Sequence, residues 1–135
     1  MFEIYNPPRF FEGELHLNDI FYKEDYPPCK GEVVLQIINK DGLMAGVRHR
    51  GGERFVLPQG RVYETESFIE GAKREAIEET GFEIEIDDFK VIKRNIIEFS
   101  NEIIERWYLL FTATIVGGAP KPKDKDEIEE ISFFE

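Results

Sequence analysis

The stretch from residue 60 to residue 82, GRVYETESFIEGAKREAIEETGF, decides the fold of this chain. Ser67, followed three residues later by Glu70, matches a capping box, a pattern that begins many α-helices. Gly81 stands where a residue in the left-handed conformation commonly ends a helix. Small and apolar residues recur at helical spacing between these two points. The sequence therefore predicts a helix over residues 67–80.

Three glutamates of this helix, Glu75, Glu78 and Glu79, are three or four positions apart and so share one face, which we expect to be exposed. Acidic runs on helices are usually solvated surface. Like charges at these spacings nevertheless destabilise a helix by about 0.2–0.5 kcal/mol per pair, and a bound divalent cation would remove that repulsion. Clustered carboxylates are hard oxygen ligands that suit Mg²⁺, so this face is a candidate metal site.

The residues before and within the helix add to this candidate site. Pro58-Gln59-Gly60 reads as a turn, in which the glycine permits a close approach or an unusual backbone conformation. A main-chain carbonyl of the turn could then face the helix and act as a neutral oxygen ligand. Glu66 and Arg74 lie about two helical turns apart, so the guanidinium is able to hold the carboxylate in place.

The whole stretch resembles the Nudix box, G-x5-E-x7-R-E-U-x-E-E-x-G-U with U an apolar residue, at every specified position. Ala76 is smaller than the aliphatic residue that usually stands at its position. A looser resemblance extends from about Gly31 to the final strand. The resemblance implies an α/β fold, a Nudix-like sandwich with a mixed β-sheet, in which residues 60–82 form a loop, a helix and a loop that bind divalent metal. It also implies cleavage of a pyrophosphate bond in a nucleoside diphosphate linked to another moiety.

The resemblance also implies roles for particular residues. The metal ligands would be the Gln59 carbonyl and the carboxylates of Glu75, Glu78 and Glu79. The metal would be Mg²⁺, with Mn²⁺ as an alternative. Arg74 and Glu66 would orient these groups and complete the expected catalytic set. The general base differs between members of the family, being either a glutamate of the box or a carboxylate on a later loop. For the second case the candidates are Glu98, Glu102 and Glu105, each of which alone reads as a solvated strand or turn residue.

Substrate contacts are expected from residues outside the helix. The candidates for binding phosphate oxygens are four arginines that flank the box: Arg48, Arg50, Arg54 and Arg61. Each of them is equally well explained as an ordinary surface arginine. Phe55, Trp107 and Tyr108 are candidate surfaces on which a base could stack, although aromatic residues on strands more often belong to the core.

Strand patterns surround the predicted helix on both sides. β-Branched runs predict strands over residues 32–38 and 43–47, joined by the turn residues Asn39-Lys40-Asp41-Gly42. After the helix, strands are predicted over residues 82–86, 89–99, 103–116 and 128–134. We predict a single helix, so the second, C-terminal helix of most relatives is not expected.

The composition narrows the class of protein. With 17 Lys and Arg against 28 Asp and Glu, the net charge is −11, which excludes a protein that coats nucleic acid through basic side chains. No apolar run approaches the roughly 20 residues that cross a bilayer. Cys29, the single cysteine, cannot form an internal disulfide. We expect a cytoplasmic protein that acts on a small nucleotide substrate and has no membrane partner.

Residues 1–30 differ from residues 31–135, the expected Nudix hydrolase domain. They hold many aromatic residues and two Pro-Pro pairs, and aromatic residues at that density require cover. The segment is therefore expected to pack on its own sheet or to form the contact of a homodimer, and we predict the homodimer.

Two classes of function remain open at this point. The first is a Mg²⁺-dependent Nudix hydrolase, and the alternative is a noncatalytic Nudix-like domain that binds a nucleotide or a protein. The intact box carboxylates favour the hydrolase. Residues 57–62 resemble a turn of ADP-ribose pyrophosphatases, whereas Pro-Gln-Gly also occurs in dinucleoside polyphosphate hydrolases. A nucleoside triphosphate, ADP-ribose and a dinucleoside polyphosphate therefore all remain candidate substrates.

Overall fold

The computed structural model describes residues 14–15, 29–99 and 102–135, which form seven strands and one helix. The elements are β1 (Glu14–Leu15), β2 (Cys29–Ile38), β3 (Met44–His49), β4 (Gln59–Tyr63), α1 (Phe68–Thr80), β5 (Phe82–Phe99), β6 (Glu102–Gly118) and β7 (Ile128–Phe134). The sheet runs in the order β1-β5-β6-β2-β3-β7, and β4 also pairs with β2. Because β2 and β6 are parallel while β5 and β6 are antiparallel, the sheet is mixed, as predicted.

Helix α1 begins and ends where its sequence signals predict. The Ser67 hydroxyl accepts a hydrogen bond from the Glu70 N–H, and the Glu70 carboxylate accepts one from the Ser67 N–H, both at 3.0 Å. This reciprocal pair satisfies two backbone donors that a helix start otherwise leaves free. At the other end Gly81 has φ +81° and donates its N–H to the carbonyls of Ala76 and Ile77. A local pattern therefore fixes both ends of the helix.

The main core lies between α1 and one face of the sheet. Strands β2, β4 and β6 contribute large apolar side chains to it, and α1 contributes Ala72 and Ala76, which let the helix approach closely. Burying one side chain such as Leu35, fully buried here, contributes about 1.5–3 kcal/mol. A smaller cluster of Val34, Leu57 and Leu110 lies on the other face of the sheet. The core therefore sets the distance from α1 to β4, on which the candidate site depends.

The structure differs from the strand predictions at two points. The segments 82–86 and 89–99 form one strand, β5, with bulges that let the ladder continue past the acidic pair at residues 87–88. Gln59 and Gly60 are not in a turn but begin strand β4, which pairs antiparallel with β2. The predicted hairpin of β2 and β3 is confirmed, and Gly42 has φ +78° in its turn.

Most of the N-terminal segment, residues 1–13 and 16–28, lies outside the described residues, and so does the homodimer contact predicted for it. Glu14 and Leu15 pair in parallel with Ile96 and Ile97 at the outer edge of β5. Among the described residues α1 is the one helix. In the described part of the chain there is no helix with the length and apolar character that crossing a bilayer would require.

Candidate active site

An open cleft of about 950 Å³ lies beside β4, between the C-terminal half of α1 and the segment that leads into β7. Its lining includes two basic side chains, Arg61 and Lys123. It also includes six carboxylates: Glu32, Glu75, Glu78, Glu79, Asp124 and Glu127. Because the acidic groups outnumber the basic ones, the cleft is suited to cations and needs them before it can accept an anionic substrate.

Arg74 is the centre of an ion-pair network at the edge of this cleft. Its guanidinium binds the Glu66 carboxylate with two bonds of 2.7 and 3.1 Å, the bidentate geometry that orients both groups. It also donates to Glu75 at 2.8 Å and to Glu78 at 3.0 Å. The Tyr63 ring lies 4.4 Å from the guanidinium carbon. The structure thus places Glu66 and Arg74 together, as their spacing predicts, and Arg74 also holds two of the three helix glutamates, Glu75 and Glu78.

Glu75 is buried against β4, where Gly60 provides the space for it. A Cβ at residue 60 would overlap the Glu75 carboxylate, and Gly60 itself has no positive φ. Of the two reasons proposed for this glycine, the close approach is therefore the one that applies. Burial raises the pKa of Glu75 to about 7, the Arg74 guanidinium opposes that rise, and Glu78 and Glu127 add to it.

Glu79 is the most deeply buried carboxylate of the cleft, with 3% of its surface exposed. Its Oε1 accepts a hydrogen bond of 3.0 Å from the Gln59 N–H. Burial raises its pKa to about 9, the Gln59 hydrogen bond opposes that rise, and Glu75 and Glu127 add to it. The expectation of an exposed acidic face was wrong for Glu75 and Glu79, because β4 packs over that face of α1.

The backbone at Gln59 directs a carbonyl toward the same place. The Pro58 carbonyl accepts the Leu35 N–H at 2.8 Å and therefore points at β2. Successive carbonyls of an extended strand point to opposite sides, so the Gln59 carbonyl points away from β2. This is the side from which the Gln59 N–H donates to Glu79. The neutral Gln59 carbonyl oxygen and the Glu79 carboxylate thus lie on the same side of β4.

This donor set fits a hard divalent cation. Mg²⁺ and Mn²⁺ prefer carboxylate and carbonyl oxygens, and the set consists of Glu75, Glu78, Glu79 and the Gln59 carbonyl. Among the ion pairs of the described residues none includes Glu79, although it is almost fully buried. A buried carboxylate without a cationic partner is costly, and a bound cation would remove that cost.

Four further residues of the cleft come from distant parts of the chain, and the sequence analysis missed them: His49, Lys123, Asp124 and Glu127. Single ligand atoms of His49, Glu79 and Glu127 lie within 4.8 Å of one another. Burial raises the pKa of Glu127, its contact with Asp124 raises it further, and His49 opposes the rise. No local pattern links His49 to Glu127, because only the pairing of β3 with β7 brings them together.

The structure separates the four candidate arginines. Arg61 lines the cleft. Arg48 instead pairs with Glu129 and Glu130 at 3.2 and 3.1 Å, and Arg50 donates to main-chain carbonyls of residues 125 and 126. Arg54 is exposed and is not part of the cleft lining. Only Arg61 of the four therefore lies beside the candidate metal ligands.

The aromatic candidates also lie elsewhere. Tyr108 is 1% exposed, so its ring belongs to the core and cannot stack on a base. The Phe55 ring packs 5.1 Å from that of Phe134, and the Arg94 guanidinium lies over Trp107. Tyr63 lines the cleft instead, and 49% of it is exposed.

The candidate general bases on β5 and β6 are not part of the cleft lining that the structure describes. Glu105 is exposed and pairs with Arg94. The side chains of Glu98 and Glu102 lie outside the described part of the chain. The carboxylates after the box that line the cleft are Asp124 and Glu127.

Three solved structures illustrate the likeness of this fold to known proteins. A UDP-X diphosphatase matches with a TM-score of 0.59 and 21% identity over 81% of this chain and 52% of that chain. A NUDIX hydrolase from Nitrosomonas europaea matches with a TM-score of 0.56 and 21% identity over 81% of this chain and 72% of that chain. An ADP-ribose pyrophosphatase from Streptococcus suis 89-1591 matches with a TM-score of 0.57 and 19% identity over 80% of this chain and 74% of that chain. At these identities the likeness shows the fold, and the chain spans about half the length of the UDP-X diphosphatase.

The family model described as the NUDIX domain matches residues 30–135. The match includes the sheet from β2 to β7, the helix α1 and all the residues that line the cleft. It covers well over half of the chain and agrees with the resemblance of residues 60–82 to the Nudix box. The chain therefore belongs to the Nudix hydrolase family.

Proposed function

We propose that this protein is a metal-dependent pyrophosphohydrolase that cleaves the phosphoanhydride bond of a nucleoside diphosphate linked to another moiety. The observation that carries the proposal is the position of Glu79, which is buried, hydrogen-bonded to the Gln59 backbone and unpaired with any cation among the described residues. Glu75 and Glu78 lie on the same side of α1 and line the same cleft. This group of carboxylates is the support for a divalent cation at the site.

The metal would be held by Glu75, Glu78, Glu79 and the Gln59 carbonyl, and Mg²⁺ is the cation we propose, with Mn²⁺ as a substitute. When bound, such a cation polarises phosphoryl oxygens and lowers the pKa of a coordinated water. Arg74 has a positioning role, since its bonds to the carboxylates of Glu75 and Glu78 hold their side chains in place. The Glu66 carboxylate holds Arg74 in turn.

The substrate would bind along the open side of the cleft. Arg61 and Lys123, its two basic lining residues, are placed to contact phosphate oxygens. Tyr63, half exposed, offers a ring on which a base could stack. Asp124 and Glu127 both line the cleft beyond the box, and Glu127 is the candidate general base because one of its carboxylate oxygens lies within 4.8 Å of one of Glu79.

The names of two similar structures support the choice of substrate class. One is a UDP-X diphosphatase and the other an ADP-ribose pyrophosphatase. Both names denote a nucleoside diphosphate that carries a further group. We therefore place nucleotide sugars and ADP-ribose ahead of nucleoside triphosphates and dinucleoside polyphosphates.

A hydrolysis screen tests this proposal. The purified chain is incubated with Mg²⁺ or Mn²⁺ and with nucleoside triphosphates, ADP-ribose, nucleotide sugars and dinucleoside polyphosphates, and the products are separated by chromatography. We expect a nucleoside monophosphate and a phosphorylated second product from at least one compound. Glu79→Gln should abolish most of this turnover, whereas Glu64→Gln, at an exposed position outside the cleft lining, should not change it. Nucleotide binding without turnover of any compound would refute the proposal in favour of a noncatalytic binding domain.

We further propose that the protein is a cytoplasmic homodimer whose contact includes residues 1–30. The support is the aromatic content of that segment. Light scattering should give a mass near twice 15.8 kDa. A variant without residues 1–28 should be monomeric or should aggregate and bind more of a hydrophobic dye. A monodisperse monomer of the full chain would contradict the dimer while leaving the proposed chemistry intact.

A further inference from the structure

Glu32 lines the cleft from the face of the sheet that points away from α1. Its neighbour Val33 belongs to the main core between the sheet and α1, and successive side chains of a strand point to opposite faces. The β4 residue paired with Val33 is Gly60, which faces Glu75 of α1. The carboxylates of Glu32 and Glu75 therefore lie on opposite faces of the sheet, and Glu32 is not one of the metal ligands that we propose.

The carboxylate of Glu32 has no partner among the described residues. Its Oε2 is buried and accepts no hydrogen bond, and Glu32 forms no ion pair in the described part of the chain, not even with the neighbouring Arg61. Burial raises the pKa of this carboxyl group, and the charge of Arg61 opposes the rise. A buried acceptor without a donor costs free energy, so an unpartnered carboxylate at the wall of a cleft points to a ligand that supplies the donor.

Arg61 and Tyr63 of β4 indicate which part of a nucleotide lies beside Glu32. Arg61 is the Cα partner of Glu32 in the antiparallel ladder, so the two side chains project from the same face of the sheet. Tyr63 follows two residues later on β4 and therefore shares that face. The proposed function assigns a phosphate to Arg61 and a base to Tyr63. Because the ribose of a nucleotide joins its phosphate to its base, the ribose would lie next to Glu32.

We propose that Glu32 determines specificity for the sugar of the nucleotide, by accepting a hydrogen bond from the 2′- or 3′-hydroxyl of the ribose. Ionised acceptors form stronger hydrogen bonds than neutral ones, and carboxylates bind ribose hydroxyls in this way in dinucleotide-binding folds. The inference rests on the proposed function, because Arg61 and Tyr63 set the direction of the nucleotide. It follows that the cleft selects ribonucleotides over deoxyribonucleotides.

Binding of analogues that cannot be cleaved tests this inference without reference to turnover. The probes are α,β-methylene-ADP and its 2′-deoxy and 3′-deoxy forms, in which a methylene group replaces the bridging oxygen of the phosphoanhydride. Calorimetry in the presence of Mg²⁺ gives the affinity of each probe. We expect the wild type to bind at least one deoxy form about tenfold more weakly than the ribose form, because a hydrogen bond to a charged group contributes at least that factor.

Two variants of Glu32 should reduce this preference in steps. Glu32→Gln keeps a neutral acceptor, so the preference for the ribose form should fall several-fold, and Glu32→Leu removes the acceptor, so it should fall to less than about twofold. Both variants remove one negative charge, which changes the affinity for all three equally charged probes, so the ratio of affinities is the readout. Glu64→Gln, at an exposed position outside the cleft lining, is the control and should keep the wild-type ratio. Circular dichroism checks the fold of each variant.

Three results would overturn the inference. The first is equal affinity of the wild type for the ribose form and both deoxy forms, which requires no variant. The second is a full ribose preference in Glu32→Leu. The third is a loss of affinity in Glu32→Leu that occurs with α,β-methylene-ADP but not with the matching analogue of purine riboside, which lacks the 6-amino group. That result would assign the carboxylate to the base.

The same measurements separate this inference from the proposed function. A protein that prefers the ribose form through Glu32 but hydrolyses no compound of the screen would refute the proposed function and leave this inference standing. Hydrolysis without any preference between ribose and deoxyribose substrates would refute this inference alone.

Discussion

Replacing Glu79 with glutamine should stabilise the metal-free protein, and the gain should grow with pH. Burial raises the pKa of Glu79 from 4.5 to about 9. Below pH 4.5 the carboxyl is protonated in both the folded and the unfolded chain, so it does not affect their balance. As the pH rises toward 9 the unfolded chain releases this proton and the folded chain retains it, which destabilises the folded state. The substitution Glu79→Gln would remove this loss, and the amide oxygen of the new side chain is able to accept the same hydrogen bond from the Gln59 N–H.

The size of the gain follows from the shift. At about 1.36 kcal/mol per pKa unit, the proton that the folded state retains at pH 8 costs at most about 5 kcal/mol. Replacing even a buried ion pair by apolar residues of similar volume is neutral or stabilises a protein by about 1–4 kcal/mol. For the unpaired Glu79 we expect a gain in that range at pH 8. At pH 5 the same arithmetic gives a gain in stability of less than about 1 kcal/mol.

Urea unfolding in the presence of EDTA at pH 5 and pH 8 measures both values. Glu64→Gln, at an exposed position, is the control and should change the free energy of unfolding by less than about 0.5 kcal/mol. A gain that is the same at both pH values, or a loss of stability at pH 8, would show that burial does not penalise the Glu79 charge. Addition of Mg²⁺ should narrow the difference in stability, because only the wild type keeps all the carboxylates that we propose as metal ligands.

Three further substitutions examine the remaining parts of the site. Gly60→Ala should weaken Mg²⁺ and substrate binding more than it lowers the melting temperature, because the new methyl group displaces the Glu75 carboxylate; unchanged Mg²⁺ affinity in calorimetry would contradict this. Arg74→Lys should lower kcat by about 10–100-fold while the fold persists by circular dichroism, because an ammonium cannot replace the bidentate pair with Glu66; wild-type kcat would argue against a positioning role. Tyr63→Leu should raise KM by about fivefold or more without lowering kcat, since stacking on a base is worth about 1–3 kcal/mol, and an unchanged KM would exclude the ring from substrate binding.

The sequence by itself determined the parts of the structure that depend on neighbours along the chain. The capping box of Ser67 and Glu70 and the left-handed Gly81 define α1 because their hydrogen bonds close within a few residues. The spacing of Glu75, Glu78 and Glu79 places them on one side of the helix for the same reason. Asn39 to Gly42 likewise define a turn through local bonds, since the Asn39 side chain accepts from the N–H groups of Asp41 and Leu43.

Only the tertiary structure decided how these glutamates differ from one another. Glu79 and Glu75 are buried because β4 packs beside α1, and β4 is held there by its pairing with β2. Helical spacing alone cannot report this, since it gives the side of the helix but not what covers that side. Hence the raised pKa values of these two residues follow from long-range packing.

Long-range strand pairing also positions His49 and Glu127 on the opposite wall of the cleft. Glu127 is far along the chain from Glu79 and His49, and no periodic pattern connects them. The ladder between β3 and β7 sets their positions, and its register depends on which strands pair across the sheet. The same pairing places Arg48 beside Glu129 and Glu130 of β7, and Arg48 forms ion pairs with both. A basic residue close to the box in sequence is therefore turned away from the cleft. Local hydrogen bonds and helical spacing therefore determined the helix and the side on which its glutamates lie, whereas strand pairing determined which other side chains meet them.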